Sequence, residues 1–269
     1  MSIALIGNGG EGSLFVQSGG EFTTADLFVG LQYDYTDSNN ELVPILGTGW
    51  INVEDSGSIL NVTSDGFVIG ENSHGELFVG YGGKVVSVDH VSGWQDGEGN
   101  WVAELPDPAN PPEGYVATTS SAWVHIGNAA SAYGRLEVNG EGSVFQNDHA
   151  PTIVGNFGVG SVIINAGGLL SNPYGEFWVG SNEGSNGDVA VTGVGSRLIQ
   201  YHPLGYHSEI GGAGFGTMTL NDGGYAEFTE LHLGQMPTGL GVVNVWHPTT
   251  MLNITHGNLV VADQGMGFL

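Results

Sequence analysis

The sequence predicts a single all-β domain: a right-handed parallel β-helix (β-solenoid) of about eight rungs with two long loop insertions. Three observations predict it. A nine-residue frame recurs eight times, the copies follow a base period near 26 residues, and glycine supplies 48 of 269 residues. That share is about 18%, against a usual share of roughly 7%. Hydrophobic residues still make up 40% of the chain, which is too apolar for a disordered polymer.

The frame reads Gly-x-Φ-x-Φ-x-x-x-Gly, with Φ apolar. Its first glycines are Gly12, Gly49, Gly75, Gly134, Gly160, Gly187, Gly216 and Gly241; the second glycine stands eight positions later in all copies but the last, where Thr249 replaces it. The apolar pairs are Leu14/Val16, Ile51/Val53, Leu77/Val79, Leu136/Val138, Val162/Ile164, Val189/Val191, Met218/Leu220 and Val243/Val245. Such alternation means a strand with one buried face. Successive first glycines lie 37, 26, 59, 26, 27, 29 and 25 residues apart, so two insertions, near 31–48 and 93–120, interrupt a regular repeat. A period of this size is one coil of a solenoid.

A second strand precedes each frame and ends in an apolar residue followed by glycine, at Gly7, Gly30, Gly70, Gly127, Gly155, Gly180, Gly211 and Gly234. A third short strand follows the frame, as in Glu21-Phe22, Lys84-Val85-Val86 and Leu169-Leu170. Gly, Asn and Asp between the strands suit turns with positive φ. At about 4.8 Å per rung, eight rungs make a rod about 38 Å long.

Charge narrows the partners. With 28 acidic side chains against three basic ones, Lys84, Arg135 and Arg197, the formal charge is −25. Nucleic acid and anionic membrane surfaces are repelled. No apolar run approaches the roughly 18 residues of a membrane helix, so no membrane insertion is expected. Cysteine is absent, which removes disulfides, thiol catalysis and cysteine-based zinc sites.

Candidate chemistry is sparse. Gly7-Asn-Gly-Gly10 and Gly211-Gly-Ala-Gly214 are loose glycine patterns without the following helix or lysine of a phosphate cradle, and read as turns. His202 and His207, with Tyr201, Tyr206 and Glu209, have no established metal-ligand spacing, and no metal or other cofactor is assigned beyond weak divalent cation binding, such as calcium, at turns like Asn221-Asp222-Gly-Gly224. No catalytic residue is assigned. The aromatic and acidic residues of the insertions are the binding candidates: Tyr33, Tyr35 and Trp50 at the first, and Trp94, Asp96, Glu98, Trp101 and Tyr115 in the second. Rings interleaved with carboxylates suit the apolar faces and hydroxyl rims of neutral sugars; the same rings would equally serve to cover the solenoid flank. Both insertions border one face, whose outward column includes Phe28, His125, Ile153 and Trp178, an apolar stripe that calls for a cover, partner or ligand.

Segments such as Gly187-Asp-Val-Ala-Val-Thr-Gly-Val-Gly-Ser-Arg-Leu198 and Gly216-Thr-Met-Thr-Leu-Asn-Asp-Gly-Gly224 resemble the repeats of bacterial autotransporter (type V secretion) passengers and of proteins carrying a PEP-CTERM sorting signal. The resemblance covers the chain outside the two insertions, and implies a β-helix stalk on a bacterial surface without a catalytic motif. There is no translocator barrel and no sorting tail in the sequence. The expected function is a non-catalytic extracellular or cell-surface structural or adhesin module that binds polysaccharide or a surface protein. The alternative is a carbohydrate-active enzyme, a glycoside hydrolase or polysaccharide lyase, with its cleft beside 93–120. Scarcity of Lys and Arg disfavours a lyase acting on polyanions.

Neither end carries a polar cap. Ile3-Ala-Leu-Ile-Gly7 enters the repeat at once, and Asn258 to Leu269 begins a ninth copy. The expectation is either a piece of a longer array or a homo-oligomer formed through the solenoid ends or the apolar face. Stacked rungs also bring carboxylates close together, so added NaCl or calcium is expected to raise the melting temperature. A melting temperature that is flat across a salt series would contradict this.

Overall fold

The computed structural model describes residues 2–64, 66–87, 90–95, 101–102, 113, 116–120, 123–148, 150–202 and 206–269. The chain coils through three parallel sheets in turn, and among the described residues it contains no helix. The first face has nine strands, from Ile3–Asn8 to Leu259–Val261; the second has nine, from Glu11–Val16 to Met266–Phe268; the third has eight, from Glu21–Thr24 to Met251–Ile254. This is the β-solenoid that the repeat predicts.

Register follows the frame. Gly12 pairs with Gly49, Gly49 with Gly75, and so on without slippage to Gly241, which pairs with Gly267 of a ninth, partial rung. The two apolar positions therefore stack into inward ladders. Ile51, Leu77, Leu136, Val162, Val189 and Met218 form one and are essentially inaccessible to solvent. Leu27, Phe67, Val124 and Phe177 from the first face, and Leu60, Val85, Phe145 and Leu170 from the third, close the triangular core. Phe67 and Phe145 meet across it with ring centroids 5.7 Å apart. Each buried side chain contributes about 1.5–3 kcal/mol, so stability is spread along the rod.

The core is not wholly apolar. The second inward position of the third face holds Ser87, Asn147, Asn172 and Gln200, all fully buried. The three amides hold the turns that lead to the first face: Asn147 donates to Ala150 O at 2.9 Å, Asn172 to Glu176 O at 2.6 Å and Gln200 to Gly175 O at 2.8 Å. At the corner between the first and second faces, Asn156 donates to Asn128 and Asn182 to Asn156, at 2.8 and 2.7 Å. The bonded amides offset the cost of burial, whereas Ser87 Oγ and Asn147 Oδ1 are buried without a partner among the described residues.

Both insertions carry β-structure of their own among the described residues. The first is an antiparallel hairpin, Tyr33–Thr36 against Leu42–Ile45. The second contains His90–Gln95 paired antiparallel with Trp101–Val102 and with Val116–Ser120. They flank the first face on opposite sides: the hairpin leaves its exit edge, and the second insertion enters from the third face.

The tightest constraint lies between the first and second faces. A Cβ on Gly134 would collide with the carbonyl of Ile69 in the preceding rung and with the amide of Gly127 in its own. Gly127 in turn has φ +76° and sits against the carbonyl of Val159 in the following rung. Neither position has room for alanine. Gly134→Ala is expected to destabilise the rod by at least about 3 kcal/mol. Gly10→Ala, at a site with no atom within 4 Å of the new Cβ, should be neutral or up to about 1 kcal/mol stabilising. Urea unfolding of the two variants checks this; equal midpoints would contradict it.

Candidate functional site

The outer surfaces of the solenoid are columns, one residue per rung. On the second face, Ser13, Trp50, Glu76 and Arg135 form one column, and Phe15, Asn52, Phe78 and Glu137 the next. Aromatic and polar side chains therefore alternate like a checkerboard over the first three rungs. Phe15 is 59% and Trp50 37% exposed. Glu76 accepts from His74 Nε2 at 2.7 Å and lies 3.6 Å from Arg135, which also pairs with Glu137. His74 stacks on Tyr133 with centroids 4.9 Å apart. Arg135 thus has both neighbouring carboxylates as partners, and its charge is locally balanced.

The first insertion stands at the edge of this face. Tyr33 and Tyr35 are both exposed on the hairpin. The β-carbon of Tyr33 abuts Gly9, which leaves no space there for a larger residue and props the hairpin on the corner of the first rung. Asp37 closes the hairpin turn by accepting from the amides of Glu41 and Asn39, at 2.9 and 2.8 Å. The Glu41 bond contributes most to holding this carboxyl below its ordinary range. Of the sequence candidates, Tyr33, Tyr35 and Trp50 are thus placed around one corner. Trp94 and Trp101 lie on the antiparallel strands of the second insertion. Asp96, Glu98 and Tyr115 lie outside the described residues.

The apolar stripe of the first face follows its expected ladder, with Phe28 beside Val68, Val68 beside His125, His125 beside Ile153 and Ile153 beside Trp178. Ile153 is nevertheless only 2% exposed. Trp123 makes edge contacts with both of its ladder neighbours, His125 at 6.2 Å and Trp178 at 6.0 Å, so its indole spans Ile153. The chain covers much of this stripe with its own tryptophan. Burial pushes the His125 imidazole below its ordinary pKa. Its Nε2 and the Trp178 Nε1 are buried and, among the described residues, unpartnered.

Comparison with family models, with curated proteins and with solved structures gives no match to this chain. Function has to be read from its own surfaces.

A second polar patch lies further along the first face. His207 and Glu209 share one strand edge and Glu230 and His232 the next, so the two adjacent rungs set histidine and glutamate in a square. The two imidazoles stack with centroids 4.2 Å apart. His207 Nε2 lies 3.4 Å from Glu209, and His232 contacts Glu230 at 3.0 Å and Asp263 at 3.3 Å. Tyr206 packs edge-on against His202, centroids 4.5 Å apart. Among the described residues, no three His, Asp or Glu side chains converge as metal ligands. At the last rung an open apolar cavity of about 520 Å³ is lined by Val245, Met251, Leu252, Ile254, Leu259 and Leu269, with Thr250 at its rim.

Hydrogen bonding to Glu209 raises the His207 pKa, with Glu230 and Asp263 adding to it. Its stabilising contribution is therefore complete below the ordinary value near 6.5 and is lost as pH rises through the higher folded value. His125 runs the other way: burial favours its neutral form, so stability falls as pH drops below 6.5 toward the depressed value. In a proton NMR titration, the His207 ring should titrate above 6.5 and the His125 ring below it. Glu209→Gln should lower the first and leave the second in place; coincident midpoints for the two rings would contradict this.

Proposed function

We propose that this chain is a non-catalytic module of a bacterial surface protein, a solenoid stalk that binds carbohydrate through aromatic side chains held on rigid β-faces. The repeat resemblance to autotransporter passengers and PEP-CTERM proteins supports an extracellular or cell-surface location. The observation that carries the binding reading is the alternation of rings, Phe15 and Trp50 exposed and Phe78 half-buried, with Ser, Asn and Glu on the first three rungs, with Tyr33 and Tyr35 exposed at their edge. Rings present flat apolar surface to the C–H faces of a sugar, while neighbouring amides and carboxylates bind its hydroxyls. Backbone register fixes these groups before any ligand arrives, so little ordering entropy opposes binding.

The test is binding of the whole chain to an immobilised glycan array, followed by a turnover assay on every glycan retained. Retention of neutral glycans without reducing-end or unsaturated products is the expected result. Product formation that disappears on Asp96→Asn or Glu98→Gln would instead establish the carbohydrate-active enzyme. Retention of no glycan would leave a protein partner as the function of these faces.

A further inference from the structure

Resting on that carbohydrate-binding reading, we propose that the ligand is a neutral, extended polysaccharide lying parallel to the solenoid axis on the second face, over Phe15, Trp50 and Phe78, and turning across the third rung so that its last unit sits beside Tyr81. The three rings occupy three consecutive rungs, one each. Phe15 and Phe78 share a column with Asn52 between them, and Trp50 is the diagonal neighbour of both, a distance aromatic side chains can span. Rungs repeat about every 4.8 Å, close to the length of one sugar unit in an extended β-linked chain. Successive units would therefore meet successive rings, with Ser13, Asn52 and Glu76 placed between them for the hydroxyls.

Tyr81 is the independent observation. The corner between the second and third faces has positive φ in rung after rung, and its occupants are Ser18, Asp55, Gly140, Ala166, Gly193, Asp222 and His247. These are mostly small residues or short polar ones, as this conformation favours. Only the third rung puts a tyrosine there, at φ +52° and 73% exposed. Its ring lies 6.5 Å from that of Phe78, whose own ring rests against Gly80. A bulky aromatic held in a disfavoured conformation with most of its surface in water contributes little to folding, and such outliers cluster where function uses them. Tyr81 also borders an open groove of about 520 Å³ with Ser56, Lys84 and Glu141 on its walls. The groove meets the proposed track at Tyr81 alone and would offer hydrogen-bonding groups to its last sugar. A chain of formal charge −25 disfavours an acidic glycan here, which makes the neutral class the complementary one.

Isothermal titration calorimetry on the full chain tests this, using β-1,4-linked gluco- and xylo-oligosaccharides of increasing length, with polygalacturonate as the anionic probe. Affinity for the neutral series should climb until about four sugar units are reached and then level off, matching the number of rings. Trp50→Ala and Phe78→Ala should each weaken binding at least about tenfold, and Tyr81→Ala should abolish the gain from the last unit. Trp50→Tyr should retain most affinity, and Phe215→Ala, near the other end of the same face, should change nothing. Unaltered melting temperatures establish that the variants are folded. Glycan binding that survives Trp50→Ala and Phe78→Ala but is lost with Tyr33→Ala or Tyr35→Ala would overturn the axial track while leaving the carbohydrate reading intact. Preference for polygalacturonate would overturn the neutral ligand. Absence of binding to every glycan would overturn both.

Discussion

Everything in this solenoid depends on how closely adjacent rungs approach at the corner between the first and second faces. There, a backbone carbonyl of one rung occupies the space where a side chain of its neighbour would begin, Ile69 blocking Gly134 of the following rung and Val159 blocking Gly127 of the preceding one. Only hydrogen fits. Because the corner admits no alternative, each rung is locked to its neighbour in one register, and a slip by one residue would turn every inward side chain outward. A glycine requirement that looks like a loss of side-chain packing is thus what aligns the ladders of Ile51, Leu77 and Leu136 in the core.

The same lock settles where polar groups can be buried. A side chain such as Asn172 faces the same inward column in every rung, so its amide reaches the same type of turn carbonyl that Asn147 reaches one rung earlier. Translational repetition converts one satisfied hydrogen bond into a ladder of them. Side chains change where the corner or the insertions demand it: Phe228 succeeds Gln200 in that column and packs against Phe177 at 6.3 Å. Polar and apolar side chains alternate there because an amide that bonds a turn carbonyl and a ring that packs on another ring both offset the cost of filling the column.

Much of this was legible before any coordinates. Glycine spacing and strict alternation are local signals, so the strands of the first two faces and their pairing follow directly from the position of Gly12, Gly49 and their successors. The third face was legible only in part, because Ser87, Asn147 and Gln200 interrupt its apolar pattern. The antiparallel strands of the insertions were not, since they obey no period. Trp123 covering Ile153 depends on packing two rungs away, and the His207–His232 square appears only once register is known. Phe15 and Phe78 were present in the frame as the variable position between apolar residues; comparing that position across copies is the signal that finds them. Trp50 is marked instead by its nearness to an insertion, and Tyr81 by its departure from the residues that the other copies place at the same positive-φ corner.

Inward and outward columns answer to different demands. Leu77 and Val79 are constrained by neighbours above, below and across the core, whereas Phe78 between them meets solvent on one side. Changing an inward residue leaves a cavity along the axis, and its cost is shared by both adjoining rungs. Changing an outward one leaves the register untouched, since backbone pairing and corner glycines carry it. One scaffold can therefore hold rings over its first three rungs and an imidazole–carboxylate square over later ones, each without consequence for the other. That separation is what fits a solenoid for surface recognition: the sequence of its outer columns can vary freely while the spacing between them stays fixed by the backbone at about 4.8 Å.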